Sequence, residues 1–310
     1  MLLAARSRSS WNLSTGGSIR IDEAVHMTLL RRPTARVALV VVVCAFALVS
    51  ATHAQRGFGQ RSFREGSFPP QFPPDDFADD GFTICKLMYT QVRREAWGIG
   101  WLTDYPYAAV NLMIRTSELT KTRVSWDANH NPYPWVVRLT DPALFQCPMI
   151  VASDVGTMGI TDVEAARLRE YLLKGGFLWV DDFWGTEAWD QWVSQIRKVF
   201  DPAEFPIVDV PPTHPVFRTY APVGQVPQVT NIQFWRASGG TETSERGQDS
   251  AEVHTRAIND AHGRMMVLMT HNTDLGDSWE REGEDPAYFY QFSPPGYAVG
   301  INVLVYVLTH

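Results

Sequence analysis

The chain has few cysteines and no excess of positive charge, and both shortages exclude whole classes of protein. Its 310 residues include three Cys, too few for a disulfide scaffold or for a metal site built from several thiolates. Lys and Arg number 27 against 34 Asp and Glu, which gives a formal net charge of -7 at pH 7. Nucleic-acid binding depends on clustered positive charge that neutralises phosphates, so we expect no nucleic-acid partner.

The common motifs of catalysis and cofactor binding are also missing. The sequence contains no GxGxxG, no GxxxxGK[ST], no HExxH and no GxSxG or GxCxG turn. The sequence therefore gives no support for binding of dinucleotides or nucleoside triphosphates. It also lacks the sharp-turn motif that presents a serine or cysteine nucleophile in many hydrolases. We expect no cofactor and no metal ion.

A targeting segment is visible near the start of the chain. A basic flank (Arg31, Arg32 and Arg36) precedes an apolar run over 37–51, and small residues follow up to Ala54. This pattern predicts a signal peptide over 27–54, and its run is shorter than the roughly 20 residues that span a bilayer. We expect export to the periplasm or beyond, cleavage of the signal and no stable membrane span afterwards; an uncleaved anchor is the alternative. Residues 1–26 are expected to be disordered or to precede the true start at Met27.

The remaining chain divides into a linker and one domain. Residues 55–80 are rich in Gly, Pro and Phe and include Pro-Pro pairs, which favour extended conformations, so we interpret them as a disordered linker. One continuous domain is expected over 81–310. Its two cysteines, Cys85 and Cys147, are expected to be separate buried thiols, with a single disulfide as the alternative permitted by export.

Strand-like and helix-like segments alternate along this domain. Short apolar runs predict strands over 82–89, 149–153, 177–180 and 265–270, and a further strand is expected over 232–236. Helical spacing predicts helices over 104–119, 186–200 and 298–308, the first with Asp104 as its cap. A further helix is expected to begin at the capping box of Thr161 and to end at Gly175. Alternating elements of this kind predict an α/β domain with three layers and a mostly parallel sheet.

Polar residues follow four of the predicted strands. In such sheets, ligands bind at the carboxyl ends of the strands. We therefore expect one crevice to collect Asp154, the pair Asp181 and Asp182, His271 and Asp274, with Trp184 beside them. Adjacent residues leaving a strand point to opposite sides, so we expect one of the pair, Asp182, to face the crevice. The alternative is that Asp181 or Asp182 caps the following helix or turn and that Asp274 forms an Asx-turn.

Two further groups of residues are candidates for the site. His214 is held between prolines in a rigid loop, which either directs its imidazole into a site or lets it cap a neighbouring element. Twelve aromatic residues lie near the polar strand ends, most of them expected in the core. Of these, Trp97, Trp101 and Trp184 are the ones expected to face a ligand.

Seven segments, in the same order, resemble the bacterial family called domain of unknown function 4159. They are KLMYTQV, WLTDYPYAAVNLMIRTSELT, LTDPALFQCPMIVAS, LREYLLKGGFLWVDDFWG, PPTHPVF, MTHNTDLGDSWE and GYAVGINVLVYVLT, and together they run from about residue 82 to 309. That family is similar to the class I glutamine-amidotransferase-like and trehalose-utilisation-like fold, a flavodoxin-like sandwich. The resemblance implies the fold, and the nucleophilic Cys of true amidotransferases is replaced here by Asp181 and Asp182, so amidase activity is not implied.

The leading hypothesis is an exported module of the cell envelope that binds a ligand or partner and is not an amidase. The ligand-binding candidates are Asp154, Asp182, Trp184, His271 and Asp274, and the partner is a small molecule, a glycan or an envelope protein. The alternative is a carbohydrate-active or other hydrolase that uses Asp181, Asp182 and His214. A third hypothesis is a purely structural component of an envelope assembly.

Overall fold

The computed structural model describes residues 69–74, 77, 80–127, 130–132 and 134–310, all within one compact unit, Ser62–His310. The predicted signal peptide and most of the predicted linker lie outside these residues. Where the end of the linker is described, it is packed on the domain: the Gln71 carbonyl accepts a hydrogen bond from Val136 N, and the Phe77 ring lies 6.2 Å from that of Trp135.

The domain alternates strands and helices, as predicted. The strands are β1 (Cys85–Leu87), β2 (Thr90–Gln91), β3 (Trp135–Val137), β4 (Ile150–Ser153), β5 (Met158–Gly159), β6 (Leu178–Asp181), β7 (Val208–Asp209), β8 (His254–Asn259) and β9 (Met265–His271). The helices are α1 (Tyr107–Leu119), α2 (Asp162–Leu173), α3 (Gly185–Val199), α4 (Ile232–Ala237), α5 (Leu275–Glu280) and α6 (Pro286–Thr309), with short 3₁₀ segments between them.

Seven strands form one mixed sheet in the order β3-β1-β4-β6-β9-β8-β7. The first five are mutually parallel, while β8 runs antiparallel to β9 and to β7. The register aligns Ser153 with Asp181, so the carboxyl ends of β4 and β6 finish at the same level. From β3 to β9 across the sheet, the five parallel strands are the second, first, third, fourth and fifth of these strands along the chain. The chain reverses direction across the sheet between β1 and β4, where doubly wound sheets bind their ligands.

Helices cover both faces of the sheet, as the alternation along β6 shows. Leu178 and Val180 belong to one core cluster, with α2 and α3, whereas Trp179 between them belongs to the other, with α1, α5 and α6. A strand buried on both faces reads as a continuous apolar run, which is why β4, β6 and β9 were predictable. The expected mostly parallel α/β domain is confirmed.

Four local expectations are corrected. Residues 232–236 form helix α4 rather than a strand, because the Asn231 side chain accepts hydrogen bonds from Gln233 N and Phe234 N and starts a helical turn. Asp104 does not cap α1, whose N-cap is Pro106. Helix α6 begins earlier than expected, at Pro286. Cys85 and Cys147 form a disulfide, with Cα atoms 6.0 Å apart, so the expectation of separate thiols is wrong.

Helix α6 is the one helix among the described residues that is long and apolar enough to cross a membrane. Its capping residue is Asp285, and its side chains Tyr288, Ile301 and Leu304 are buried in the core cluster that includes α1 and α5. Most of its apolar segment is enclosed by the protein, as is typical of a core helix.

Candidate functional site

The buried charges of the described chain are concentrated at one edge of the sheet. Seven carboxylates and two cations are buried there: Asp104, Asp154, Asp181, Asp182, Glu245, Asp274 and Asp277, with Lys86 and Arg281. Asp181 ends β6, and Asp154, Asp182 and Asp274 follow β4, β6 and β9. Lys86 lies within β1, Asp277 in α5 and Arg281 directly after α5, while Asp104 and Glu245 lie in irregular segments. Buried charges are costly unless they are paired, so this excess of negative charge marks the edge as unlike the rest of the core. We call these seven carboxylates the acidic cluster.

Asp104 stands at the centre of the acidic cluster. It adopts a left-handed backbone conformation, with φ of 67°, ahead of α1. Its Oδ2 accepts a 2.5 Å hydrogen bond from Ser153 Oγ, and Lys86 Nζ donates to the same hydroxyl at 2.7 Å. The other oxygen, Oδ1, is shielded from water and accepts no hydrogen bond. A buried carboxylate oxygen without a donor is rare in folded proteins and marks a position that a water molecule or an ion could occupy.

Asp181 and Asp182 follow the same strand but have different surroundings. Both oxygens of Asp181 are used by the protein: Oδ1 accepts from Thr270 Oγ1 at 2.5 Å and Oδ2 from Gly276 N at 3.1 Å. Asp182 has φ of 53°, and its Oδ1 accepts from Trp184 Nε1 at 2.9 Å. Asp182 thus occupies a sharp turn between β6 and α3 and keeps its second oxygen outside that bond.

Three carboxylates of the cluster converge. One carboxylate oxygen each from Asp104, Asp182 and Asp274 lies within 4.8 Å of the others. Asp274 also caps α5, because its Oδ1 accepts from Asp277 N at 2.8 Å. Asp274 is therefore a helix cap, where the alternative from the sequence was an Asx-turn, and it contributes to the group at the same time. We call these three residues the acidic triad.

Asp154 lies beside the triad under a loop. Its φ is 53°, and its Oδ2 accepts from Gly100 N at 2.7 Å. A Cβ atom on Gly98 would come within 2.5 Å of the same carboxylate, so the loop backbone passes directly over it. We call residues 92–103 the covering loop, and it shields the acidic cluster from solvent.

The electrostatics of the cluster favour neutral carboxyls. Burial, reinforced by the charge of Glu95, raises the pKa of Asp154 to about 7, and burial likewise raises the pKa of Asp181 to about 7. Burial and the neighbouring carboxylates hold the pKa values of Asp182 and Asp274 well above the usual range. Burial lowers the pKa of Lys86, although the nearby carboxylates oppose that shift. The cluster is thus short of positive charge.

His271 ends β9 on the other face of the sheet from the triad. Its ring lies 4.8 Å from Phe183 and 5.2 Å from Trp189, and Nε2 faces the Gly185 carbonyl oxygen at 3.0 Å. Burial lowers its pKa to about 4. The structure therefore places this predicted ligand residue among the aromatic side chains around α3.

His214 is not brought to the cluster. Its Nδ1 accepts from Val216 N at 3.2 Å, which caps a 3₁₀ turn, and its ring lies 5.6 Å from Tyr306. Tyr306 forms a hydrogen bond with the backbone of Met265, which is the first residue of β9. Asp274 lies at the other end, just after the last residue of that strand. A seven-residue strand separates the two ends by roughly 20 Å.

The three aromatic candidates have different surroundings. Trp184 is buried and orients Asp182, while Trp101 is half-buried against Tyr105. Trp97 is 46% exposed on the covering loop, with its ring 6.4 Å from Phe234. Only Trp97 presents much of its surface to solvent at this edge.

Sequence reasoning missed Asp104, Lys86 and Glu245 as members of the site. Asp104 was assigned to a cap, and Glu245 lies in an irregular segment, where its Oε1 accepts from Thr230 Oγ1 and Asn231 N. Lys86 did carry a signal, because a lysine inside the buried strand Cys85–Leu87 requires a polar partner beyond the strand.

A comparison with family models matches residues 83–308 to the domain of unknown function family DUF4159. The match covers most of the chain, and the chain therefore belongs to this family, as the seven segments indicated. A comparison with curated proteins finds no match.

Proposed function

We propose that the chain is an exported module of the cell envelope that binds a positively charged ligand at the acidic cluster and is not an amidase. The observation that carries this proposal is the imbalance of seven buried carboxylates against two buried cations at one edge of the sheet. A ligand with positive charge would supply what the protein's own side chains do not.

The order of the parallel strands and the residue at the turn after β6 support the finer assignment to an amidotransferase-like, flavodoxin-like sandwich. The parallel strands follow the order 2-1-3-4-5 that flavodoxin-like sheets use. The sharp turn after β6, where the resemblance implies a nucleophilic Cys, carries Asp182 instead. The described cysteines are joined to each other at the amino ends of β1 and β4, so neither supplies a thiolate to the cluster.

Export is supported by the disulfide. Disulfides persist in oxidising compartments and are rare in the cytosol, so Cys85–Cys147 agrees with the signal peptide proposed over 27–54. The hydrolase alternative needs Asp181, Asp182 and His214 in one place, and the separation of His214 from the pair weakens it. Binding is therefore the function we favour.

A ligand larger than an ion enters only if the covering loop moves. Two hydrogen bonds hold the loop in place: Gly100 N donates to the Asp154 carboxylate, and Arg246 donates to the Ala96 carbonyl at 3.1 Å. Trp97 on this loop could then stack on the ligand, as aromatic rings do on sugars and cations.

The test uses a matched pair of glycans. Chitosan oligosaccharides carry amines, and their N-acetylated counterparts have the same backbone without the charge. We expect the full-length chain to bind the charged oligosaccharides in a calorimetric titration at pH 6.5 and to bind the acetylated ones at least tenfold more weakly. Asp182→Asn should weaken the charged interaction at least tenfold, while His214→Ala should leave it unchanged. Equal binding of both glycans, or an unaffected Asp182→Asn variant, would show that the acidic cluster is not the site.

A further inference from the structure

We infer that the acidic triad of Asp104, Asp182 and Asp274 is a binding site for one hard divalent cation of the Ca²⁺ or Mg²⁺ class. This inference rests on the proposed function and names the smallest ligand that the acidic cluster would bind. It departs from the expectation of no metal, which followed from the lack of a dense ligand motif. The three residues come from three separate loops, so no local spacing could reveal them.

The geometry of the triad suits a shared oxygen-bound ion. One oxygen from each residue lies within 4.8 Å of the others. Calcium binds oxygen at about 2.3–2.6 Å, so two of its ligands lie at most roughly 4.6–5.2 Å apart. The triad therefore needs little or no movement to bind Ca²⁺. Magnesium binds oxygen at about 2.0–2.1 Å, so two of its ligands lie at most roughly 4.0–4.2 Å apart.

Each carboxylate is oriented by a hydrogen bond to one of its two oxygens. Ser153 Oγ donates to Oδ2 of Asp104, Trp184 Nε1 to Oδ1 of Asp182, and Asp277 N to Oδ1 of Asp274. These donors fix the three side chains before any ion arrives. Partners that orient metal ligands in this way are a regular part of metal sites.

The second, independent observation is the unsatisfied oxygen of Asp104. Asp104 is only 3% exposed, and its Oδ1 is shielded from water without a hydrogen-bond donor. An isolated acidic cluster could be neutralised by protons alone, but a buried carboxylate oxygen also needs a partner to replace its lost water. A cation in the triad would meet that need.

The protein's own cations do not serve the triad. Lys86 Nζ donates to the Thr103 carbonyl and to Ser153 Oγ, both at 2.7 Å, while Arg281 pairs with Asp277 at 3.2 Å. Within the part of the chain that the structure describes, none of the three triad carboxylates forms an ion pair with Lys or Arg. The three carboxyl groups are thus available to an external cation, which would displace their protons.

A water molecule is the competing occupant. A cavity of about 20 Å³ lies beside Asp104, lined also by Lys86, Ser153, Asp181 and Gly276. That volume is enough for one water. Water would satisfy Oδ1 without drawing the three carboxylates together, and the experiment separates the two occupants.

The experiment uses terbium as a luminescent probe of hard-cation sites. Trp184 donates directly to Asp182, so it can sensitise a Tb³⁺ ion bound in the triad. We expect the full-length chain, stripped with EDTA and dialysed to pH 7.5, to show saturable Tb³⁺ emission at one ion per chain. Ca²⁺ should displace the signal. Asp104→Asn, Asp182→Asn and Asp274→Asn should each reduce Tb³⁺ affinity at least tenfold.

The matched control is Asp260→Asn, since Asp260 lies at the opposite end of β9 with His262 N and Arg264 N as partners. It should retain wild-type Tb³⁺ affinity. Circular dichroism checks that each variant is folded, and direct metal analysis of wild-type protein purified without chelator gives a readout that needs no variant.

Absence of saturable Tb³⁺ or Ca²⁺ binding to the wild type, or equal loss in Asp260→Asn, would overturn the cation site and leave water as the occupant. That result would not touch the proposed function, because the glycan pair tests charged-ligand binding separately. Failure of the glycan test with saturable Tb³⁺ binding would instead restrict the site to ions.

Discussion

The two edges of the central sheet bury polar groups in opposite ways. At the amino ends of the strands, Asp260 accepts from Arg264 Nε at 3.1 Å, and Arg264 also donates to the Leu172 carbonyl at 2.7 Å. Tyr171 donates to the Cys147 carbonyl at 2.9 Å. At the carboxyl ends, carboxylates face one another and one oxygen has no donor at all. The charged and phenolic groups named here at the amino edge are paired, which favours stability, whereas the carboxyl edge holds more buried carboxylates than buried cations, which favours binding.

The largest effect is expected from the disulfide at the amino edge. Cys85 and Cys147 are separated by 62 residues in sequence, and closing a loop of that size stabilises a fold by about 4 kcal/mol in the chain-entropy account. Replacing both with Ser should lower the free energy of unfolding by that amount in urea denaturation. Tb³⁺ affinity should stay within twofold of wild type. A folded double variant that no longer bound Tb³⁺ would show that the two edges are not independent.

The second prediction concerns the pH dependence of folding stability that the carboxyl edge creates. Burial raises the pKa of Glu245 to about 7, above the 4.5 of the unfolded chain. The folded state therefore holds a proton that the unfolded state releases, so this contribution to stability is present below pH 4.5 and lost as the pH rises through 7. Glu245→Gln keeps an oxygen for Thr230 and Asn231 but cannot ionise.

The stability of Glu245→Gln relative to wild type should therefore rise between pH 5 and pH 8, by roughly 1–3 kcal/mol. Urea melts of both proteins in EDTA at the two pH values measure the difference. A constant difference would mean that Glu245 is ionised throughout and that its pairing with Arg246, at 3.4 Å, outweighs burial.

How much of this contrast could be read from sequence depended on the type of signal. The continuous apolar runs of β4, β6 and β9 gave their positions, because strands covered on both faces have no polar alternation. By contrast, β8 contains His254, Thr255, Arg256 and Asn259 near the sheet margin, and this polar run was not recognised as a strand. The predicted strand over 232–236 failed because the cap at Asn231 outweighed the β propensity of the aromatic run that follows.

The candidate site was predictable only where it followed a strand directly. Asp154, Asp182 and Asp274 were identified by that rule, and they lie at the carboxyl edge as expected. The same rule included His271, which the pleat turns to the opposite face. It could not find Asp104, since the covering loop brings that residue back to the sheet from a distance. Long-range placement of this kind leaves no periodic trace in the sequence.

A third prediction compares one aspartate from each edge. Asp260→Asn should cost about 1–2 kcal/mol, because it weakens charge-assisted bonds to Arg264. Asp182→Asn should cost less than about 0.5 kcal/mol in EDTA at pH 7.5, or stabilise the protein, because the folded state no longer has to protonate a carboxyl that is buried among other carboxyls. Thermal and urea melts of the two variants side by side give the comparison. Equal destabilisation would mean that Asp182 is a structural cap like any other.

The smallest change in stability is expected at Trp97, and it separates an ion from a larger ligand. Trp97 is 46% exposed on the covering loop, so Trp97→Ala should alter the free energy of unfolding by no more than about 0.5 kcal/mol. The residue lies outside the triad, so Tb³⁺ affinity should be unchanged. A sugar held at this edge would lose a stacking surface, and chitosan affinity should fall about three- to tenfold in calorimetry. If both affinities stay at their wild-type values, Trp97 does not face the ligand, and the carboxyl edge recognises its ligand by charge alone.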